Sequence, residues 1–164
     1  MSIVATIVVG IDGSSTLGGS SQQVTTSADR ESFLKRRRLA DCIIIGGNTA
    51  RNEPYLKTPV PLVIVSKLAH PNLPSAHVWN LDPKDALVKA CKEFGENILI
   101  EGGASFITYL LEENLIEYLE LSVTPIEGGK DIFDYEKFLS LANSVEKNTM
   151  NETTFYSAKF TKQK

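Results

Sequence analysis

Apolar residues in this chain fall in short unbroken runs, separated by polar junctions that carry glycine or proline. Ser2 to Val9, Cys42 to Ile45, Leu62 to Ser66 and Asn97 to Ile100 are rich in Val, Ile and Leu. Runs of this length flanked by turn residues predict strands buried on both faces. Between them the spacing becomes helical. Thr26 with Asp29 three residues later is a capping-box signal, which predicts a helix from there to about Ala40. Asp82-Pro83 supplies a cap and a proline at the first helical position. Ala86, Leu87, Ala90 and Cys91 continue the helix, and Gly95 suits its stop. Ala104 to Glu113 and Tyr135 to Ala142 predict two more helices, with a short helical turn from Asn48. His77 to Leu81 and Tyr118 to Thr124 predict strands. Ser144 to Met150 and Thr153 to Phe160 predict a strand pair joined around Asn151. Asp12 to Gln23 and Leu68 to Ser75 read as loops.

Strands alternating with helices through Thr124 imply a largely parallel sheet covered on both faces. The closing pair adds antiparallel strands at one edge. The expected architecture is α/β, a single domain over 1–164 with a mixed sheet and no linker. Composition agrees, since 42% hydrophobic and 23% charged residues are ordinary for a globular chain and argue against disorder. The formal net charge of -3 gives no global attraction to nucleic acid or to an anionic membrane. The apolar stretch from Ile3 to Ile11 falls well short of the roughly 20 residues a bilayer requires. It lacks the flanks of a signal peptide, so a cytoplasmic protein is expected. Cys42 and Cys91 suit buried, reduced thiols, and His70 and His77 have no partners at ligand spacing, so no metal is expected. Trp79 reads as core or as a partly covered surface residue.

One chemical feature occurs twice. Ile43-Ile44-Ile45-Gly46-Gly47-Asn48-Thr49 and Ile98-Leu99-Ile100-Glu101-Gly102-Gly103-Ala104-Ser105 each join a buried strand to a helix start through paired glycines. Glycine lets a ligand approach the backbone, and a helix start offers unpaired N–H groups and a positive dipole end. Two such junctions side by side would cradle a pyrophosphate at the carboxyl edge of the sheet. Neither matches G-x-G-x-x-G, and no G-x-x-x-x-G-K-[ST], G-x-S-x-G or zinc-deaminase signature occurs. Glu101 at a strand end would face the same crevice, unless it is a solvated loop carboxylate. Asp12-Gly13 is either a turn or the start of a mobile lid running to Gln23. Lys35-Arg36-Arg37-Arg38 falls in the last turns of the first helix, where the dipole favours cations. At helical spacing only one or two of the four share a side.

The order Asp-Gly, then "VTTS", "KRRRLADCIIIGGNTARNEPYL", "VIVS" and "ILIEGGASFITYLLEENLIEYLELSVTPIEGG" resembles the reductase domain of riboflavin biosynthesis over nearly the whole chain. "EGGASF" and "GGNTARNEP" are the most specific segments. The resemblance implies a dihydrofolate reductase-like fold and an NADPH-dependent homodimer. It implies hydride transfer that opens the ribosyl group of a phosphorylated aminopyrimidine. It places Gln23, Thr49, Asn52 and Ser66 at the cofactor, with Gly102, Gly103, Ala104, Ser105 and Phe106 around its phosphates. It places Ser21, Arg37, Leu56 and Glu101 on the side of the substrate, a phosphorylated heterocycle.

The chain departs from that pattern in places. Ser14 replaces a basic residue after Asp-Gly, and Gln23 stands where tryptophan is usual. The loop after Thr49 is one residue shorter. Pro59 falls where an arginine would help hold the substrate phosphate, a task Lys57 could take only as a point charge. Glu101 and Asp12 are the expected catalytic acids or orienting groups, with a bound water as the alternative. A reductase of the same fold acting on a pterin or another heterocycle, and a nucleotide-binding protein without catalysis, are the other readings.

Overall fold

The structure is a computed structural model that describes residues 2–161. An eight-stranded sheet has the order β5-β4-β3-β6-β1-β7-β10-β9. Its strands are β1 (Ser2–Gly10), β3 (Cys42–Gly46), β4 (Leu62–Val65), β5 (His77–Trp79), β6 (Asn97–Ile100), β7 (Tyr118–Thr124), β9 (Ser144–Met150) and β10 (Thr153–Lys159). Six are parallel, from β5 to β7, and β10 runs antiparallel between β7 and β9. The parallel core with an antiparallel closing pair matches the sequence reading. That pair turns at Asn151 and Glu152, both at positive φ, as a tight hairpin matching strand twist requires.

The parallel strands bury both faces, which accounts for their unbroken apolar runs. Ile3, Ala5, Cys42, Ile44, Ile98 and Ile100 point to one face, packed with α3 (Pro83–Phe94), α4 (Ala104–Glu112) and α5 (Tyr135–Leu141). The alternate residues Ile43, Ile45, Leu62, Ile64 and Leu99 form a smaller cluster on the other face with Ala50 and Tyr55. Over that second face lie α1 (Ser27–Leu39) and α2 (Gly47–Asn52). Trp79 is buried and stacks on Phe94 with ring centroids 6.2 Å apart. Cys42 is fully buried and Cys91 only half-buried, and burial pushes the Cys42 thiol up to about 12.

α1 differs from the other helices. Its only buried residues are Asp29 and Arg37, so apolar packing does not dock it. Polar contacts do. Thr26 caps it, accepting from the Asp29 amide, and its hydroxyl pairs with Thr153 at 2.8 Å. Arg36 donates to Thr6 on β1 at 2.7 Å. Burial lowers the pKa of Arg36, with the charges of Glu120, Asp29 and Glu101 opposing. In the basic run only Arg36 and Arg37 turn inward, while Lys35 and Arg38 are exposed.

The segment from Asp12 to Gln23, read as either a turn or a mobile lid, is partly ordered by strand pairing. β2 (Ser14–Thr16) forms a small antiparallel sheet with β8 (Lys130–Ile132), two strands the sequence reading did not foresee. Ser14 is fully buried, and Ser15 donates to the Asp131 carbonyl at 2.6 Å. Strands of three residues carry too little pattern to register as strands. No helix among the described residues is long and apolar enough to cross a membrane.

Candidate functional site

The carboxyl ends of β3 and β6 are neighbours, so the two glycine junctions meet. The Gly46 amide donates to the Gly102 carbonyl at 3.0 Å, and the Glu101 amide donates to the Ile44 carbonyl at 3.1 Å. Gly102 has φ +133°, which favours glycine, and the Gly102–Gly103 peptide is cis. A Cβ on Gly102 or Gly103 would lie 3.3 or 3.1 Å from Thr49 Oγ1. A side chain at either position would crowd the Thr49 hydroxyl. Gly103 is the N-cap of α4 and has no side chain to accept from the first amides. The α4 start therefore presents free N–H groups beside the Thr49 hydroxyl, a fit for an anionic group.

These junctions form one wall of a cavity of about 380 Å³. β1 supplies Thr6, Ile7 and Val8, α1 supplies Phe33 and Leu34, and Pro54 and Tyr55 close another side. No group of His, Cys, Asp and Glu among the described residues could hold a metal ion.

Glu101 sits at the cavity wall and is 8% exposed. Its carboxylate accepts from Arg37 Nε at 2.8 Å on Oε2 and from Arg37 Nη2 at 2.8 Å on Oε1. The Tyr55 hydroxyl donates to the same Oε1 at 2.8 Å. The Arg37 guanidinium lies 4.4 Å from the Phe33 ring centre and 5.1 Å from that of Tyr55. Burial lowers the Arg37 pKa, but hydrogen bonds and charge from Glu101 outweigh it and leave the value raised. Burial, reinforced by the Glu101 charge, pushes the Tyr55 hydroxyl well above its ordinary value. Glu101 is thus a paired interior carboxylate, not the solvated loop residue that sequence left open.

Seven of the expected site residues line the cavity: Ser21, Arg37, Thr49, Glu101, Gly102, Gly103 and Ala104. The rest do not. Gln23 is exposed beside Gly18, and its neighbour Gln22 lines the cavity instead. Leu56 is 68% exposed, while Tyr55 is buried at the wall. Phe106 packs between the two tips, its ring 3.8 Å from where a Gly46 Cβ would stand. Ser105 and Asn52 are exposed. Ser66 borders a second, open cleft of about 390 Å³ with Lys67 and His70, and its hydroxyl pairs with His70 Nε2 at 2.9 Å.

Asp12 lies outside the cavity. Its carboxylate accepts from Ser14 Oγ at 2.6 Å, Gly128 N at 2.8 Å and Ser14 N at 3.0 Å. These bonds, the Ser14 hydroxyl foremost, hold its pKa at about 2. A carboxyl so held is ionised at neutral pH and pins a turn. Tyr55 escaped the sequence reading although it stands in the "NEPYL" segment. The signal available was an aromatic after proline, between a glycine tip and the next strand.

The sequence matches the RibD C-terminal domain family over residues 1–157. No curated protein matches it. Among solved structures it is similar to the diaminohydroxyphosphoribosylaminopyrimidine deaminase/5-amino-6-(5-phosphoribosylamino)uracil reductase of Thermotoga maritima. That match has a TM-score of 0.75 at 12% identity, over 98% of this chain and 56% of that one. RibD of Acinetobacter baumannii gives 0.72 at 16% identity, over 98% and 58%. A pyrimidine reductase-like protein of Corynebacterium diphtheriae gives 0.73 at 16% identity, over 99% and 92%. The chain spans a little over half the length of the first two. Together these similarities establish the dihydrofolate reductase-like fold.

Proposed function

Because the chain belongs to the RibD C-terminal domain family, we propose that it is an NADPH-dependent reductase of the riboflavin-pathway type, acting on a phosphoribosylaminopyrimidine. The observation that carries this reading is the pair of glycine junctions opening on one wall of a cavity sized for a heterocycle. When bound, the reduced nicotinamide supplies a hydride from its C4 position.

The chain's own residues do the positioning. The free amides at the start of α4, from Ala104 onward, hold the cofactor diphosphate, and the Thr49 hydroxyl stands beside them. Ser66, just past the end of β4 and so next to β3 along the same sheet edge, lies toward the rest of the nucleotide. Ser21 and Phe33 border the acceptor, and Arg37 is held rigid by Glu101. With both oxygens of Glu101 committed to Arg37 and Tyr55, that carboxylate orients the wall and does not give up a proton. Asp12 does not line the cavity, so this reading gives it no part in the reaction. Water entering at the cavity mouth is then the proton source. A homodimer formed through β9 completes the reading.

Two measurements test it. Titration with NADPH and NADH, followed by nicotinamide fluorescence, reads cofactor binding. Loss of nicotinamide absorbance on adding 5-amino-6-(5-phosphoribosylamino)uracil, with dihydrofolate as the comparison, reads turnover. Oxidation with the aminopyrimidine and not with dihydrofolate is expected. Turnover of dihydrofolate alone would replace the pyrimidine by a pterin. Binding without oxidation of either would leave a nucleotide-binding protein.

A further inference from the structure

Five charged side chains line the cavity: Asp29, Arg30, Arg37, Glu53 and Glu101. Four have a hydrogen-bond partner within the protein, and two of these, Arg37 and Glu101, neutralise each other. Asp29 accepts from the Thr25 hydroxyl at 2.6 Å. Glu53 accepts from the Ser21 amide at 2.6 Å and the Ser21 hydroxyl at 3.0 Å. Arg37 and Glu101 hold each other. The Arg30 guanidinium alone has no hydrogen bond or ion pair among the described residues.

Helix stability does not explain an arginine at this place. Arg30 stands in the first turn of α1, where the dipole disfavours a cation. Arg30, Phe33, Leu34 and Arg37 follow the i, i+3, i+4, i+7 spacing of one helix face, and all four border the cavity. Arg30 is exposed, so its charge sits at the mouth, hydrated and available. Pro59 and Lys57, where the family resemblance looks for the cation that holds a substrate phosphate, do not line the cavity. We infer that Arg30 reads an oxyanion carried by the acceptor, whose ring lies deeper, against Phe33.

The identity of the acceptor rests on the reductase reading; the anion site does not. A guanidinium fork matches the oxygens of a phosphate monoester or a carboxylate. Calorimetric titration of the full chain with ribose 5-phosphate, glucuronate and plain ribose separates these sources. Arg30→Ala should weaken binding of the favoured anion about tenfold or more, as expected for a lost charge-assisted contact. Arg30→Lys should restore part of it, and ribose binding should not change. An Arg30→Ala effect on ribose 5-phosphate assigns a phosphate, and one on glucuronate alone assigns a carboxylate. Equal affinities in wild type and Arg30→Ala, or no binding of either anion to wild type, overturn the assignment. Turnover is read separately. Wild-type chain that binds ribose 5-phosphate through Arg30 yet oxidises no NADPH sinks the reductase reading and keeps the anion site. Turnover of the phosphorylated pyrimidine with kcat/KM unchanged in Arg30→Ala does the reverse.

Discussion

Arg37 on α1 and Glu101 at the tip of β6 meet through two 2.8 Å contacts, one to each carboxylate oxygen. Their side chains are 10% and 0% exposed. This pair fastens a helix with almost no buried apolar surface to the sheet edge that carries the glycine junctions. Breaking such a pair from one side leaves a buried charge without a counterion. Arg37→Ala or Glu101→Gln should therefore cost about 3–5 kcal/mol of stability. Replacing both with apolar residues of similar size should cost much less than the sum. Denaturant unfolding of the two single variants and the double variant checks this. Additive losses would mean the two charges do not depend on each other.

The α4 start makes an equally direct demand. A side chain at Gly103 would crowd Thr49 Oγ1, already 3.1 Å from the Cβ position, and Asp would add negative charge at the phosphate cradle. Gly103→Asp should abolish NADPH binding in a fluorescence titration. A thermal melt run alongside separates loss of the cradle from loss of the fold. Normal binding by a folded Gly103→Asp chain would place the cofactor elsewhere.

How much of this was legible beforehand follows from where the pattern is strong. Strands buried on both faces write long apolar runs, and β1, β3, β4 and β6 were readable for that reason. The glycine junctions were readable because two of them end adjacent strands in one manner. β2 and β8 were not, since their pairing is held by Ser14, Ser15 and Asp131, residues equally at home in a loop. Side-chain direction in loops was also out of reach. Tyr55 and Leu56, or Gln22 and Gln23, are adjacent in sequence and differ in facing the cavity. No periodicity ranks them. Arg30 and Arg37 look alike in sequence, and only the position of Glu101 divides them into a satisfied and an unsatisfied cation.

Asp12 gives a pH dependence of defined sign. Hydrogen bonds from Ser14 and Gly128 lower its pKa from 3.8 to about 2, so the folded state favours the ionised form. The stabilisation is fully present above about pH 4 and is lost as the pH falls through about 2. Asp12→Ala should be less stable than wild type at neutral pH, and the difference should shrink steadily between pH 4 and 2. Thermal melts of both chains across that range test it. A difference independent of pH would mean that the turn does not depend on the Asp12 charge.

The outer edge of the large sheet leads to the last expectation. β9 ends the strand order, and every one of its seven residues is exposed. An uncovered edge strand presents a row of unpaired backbone donors and acceptors, a ready template for another strand. Val145 and Met150 on it are 41% and 51% exposed. A second copy of the chain pairing along this edge would cover both the polar backbone and these side chains. Sedimentation velocity at micromolar concentrations should therefore give a dimer. Val145→Lys, which sets a charge on the edge, should shift it toward monomer while leaving the melting temperature of the monomer's own core little changed. A wild-type chain that sediments as a monomer would remove the dimer from the reading and leave β9 as a solvated edge.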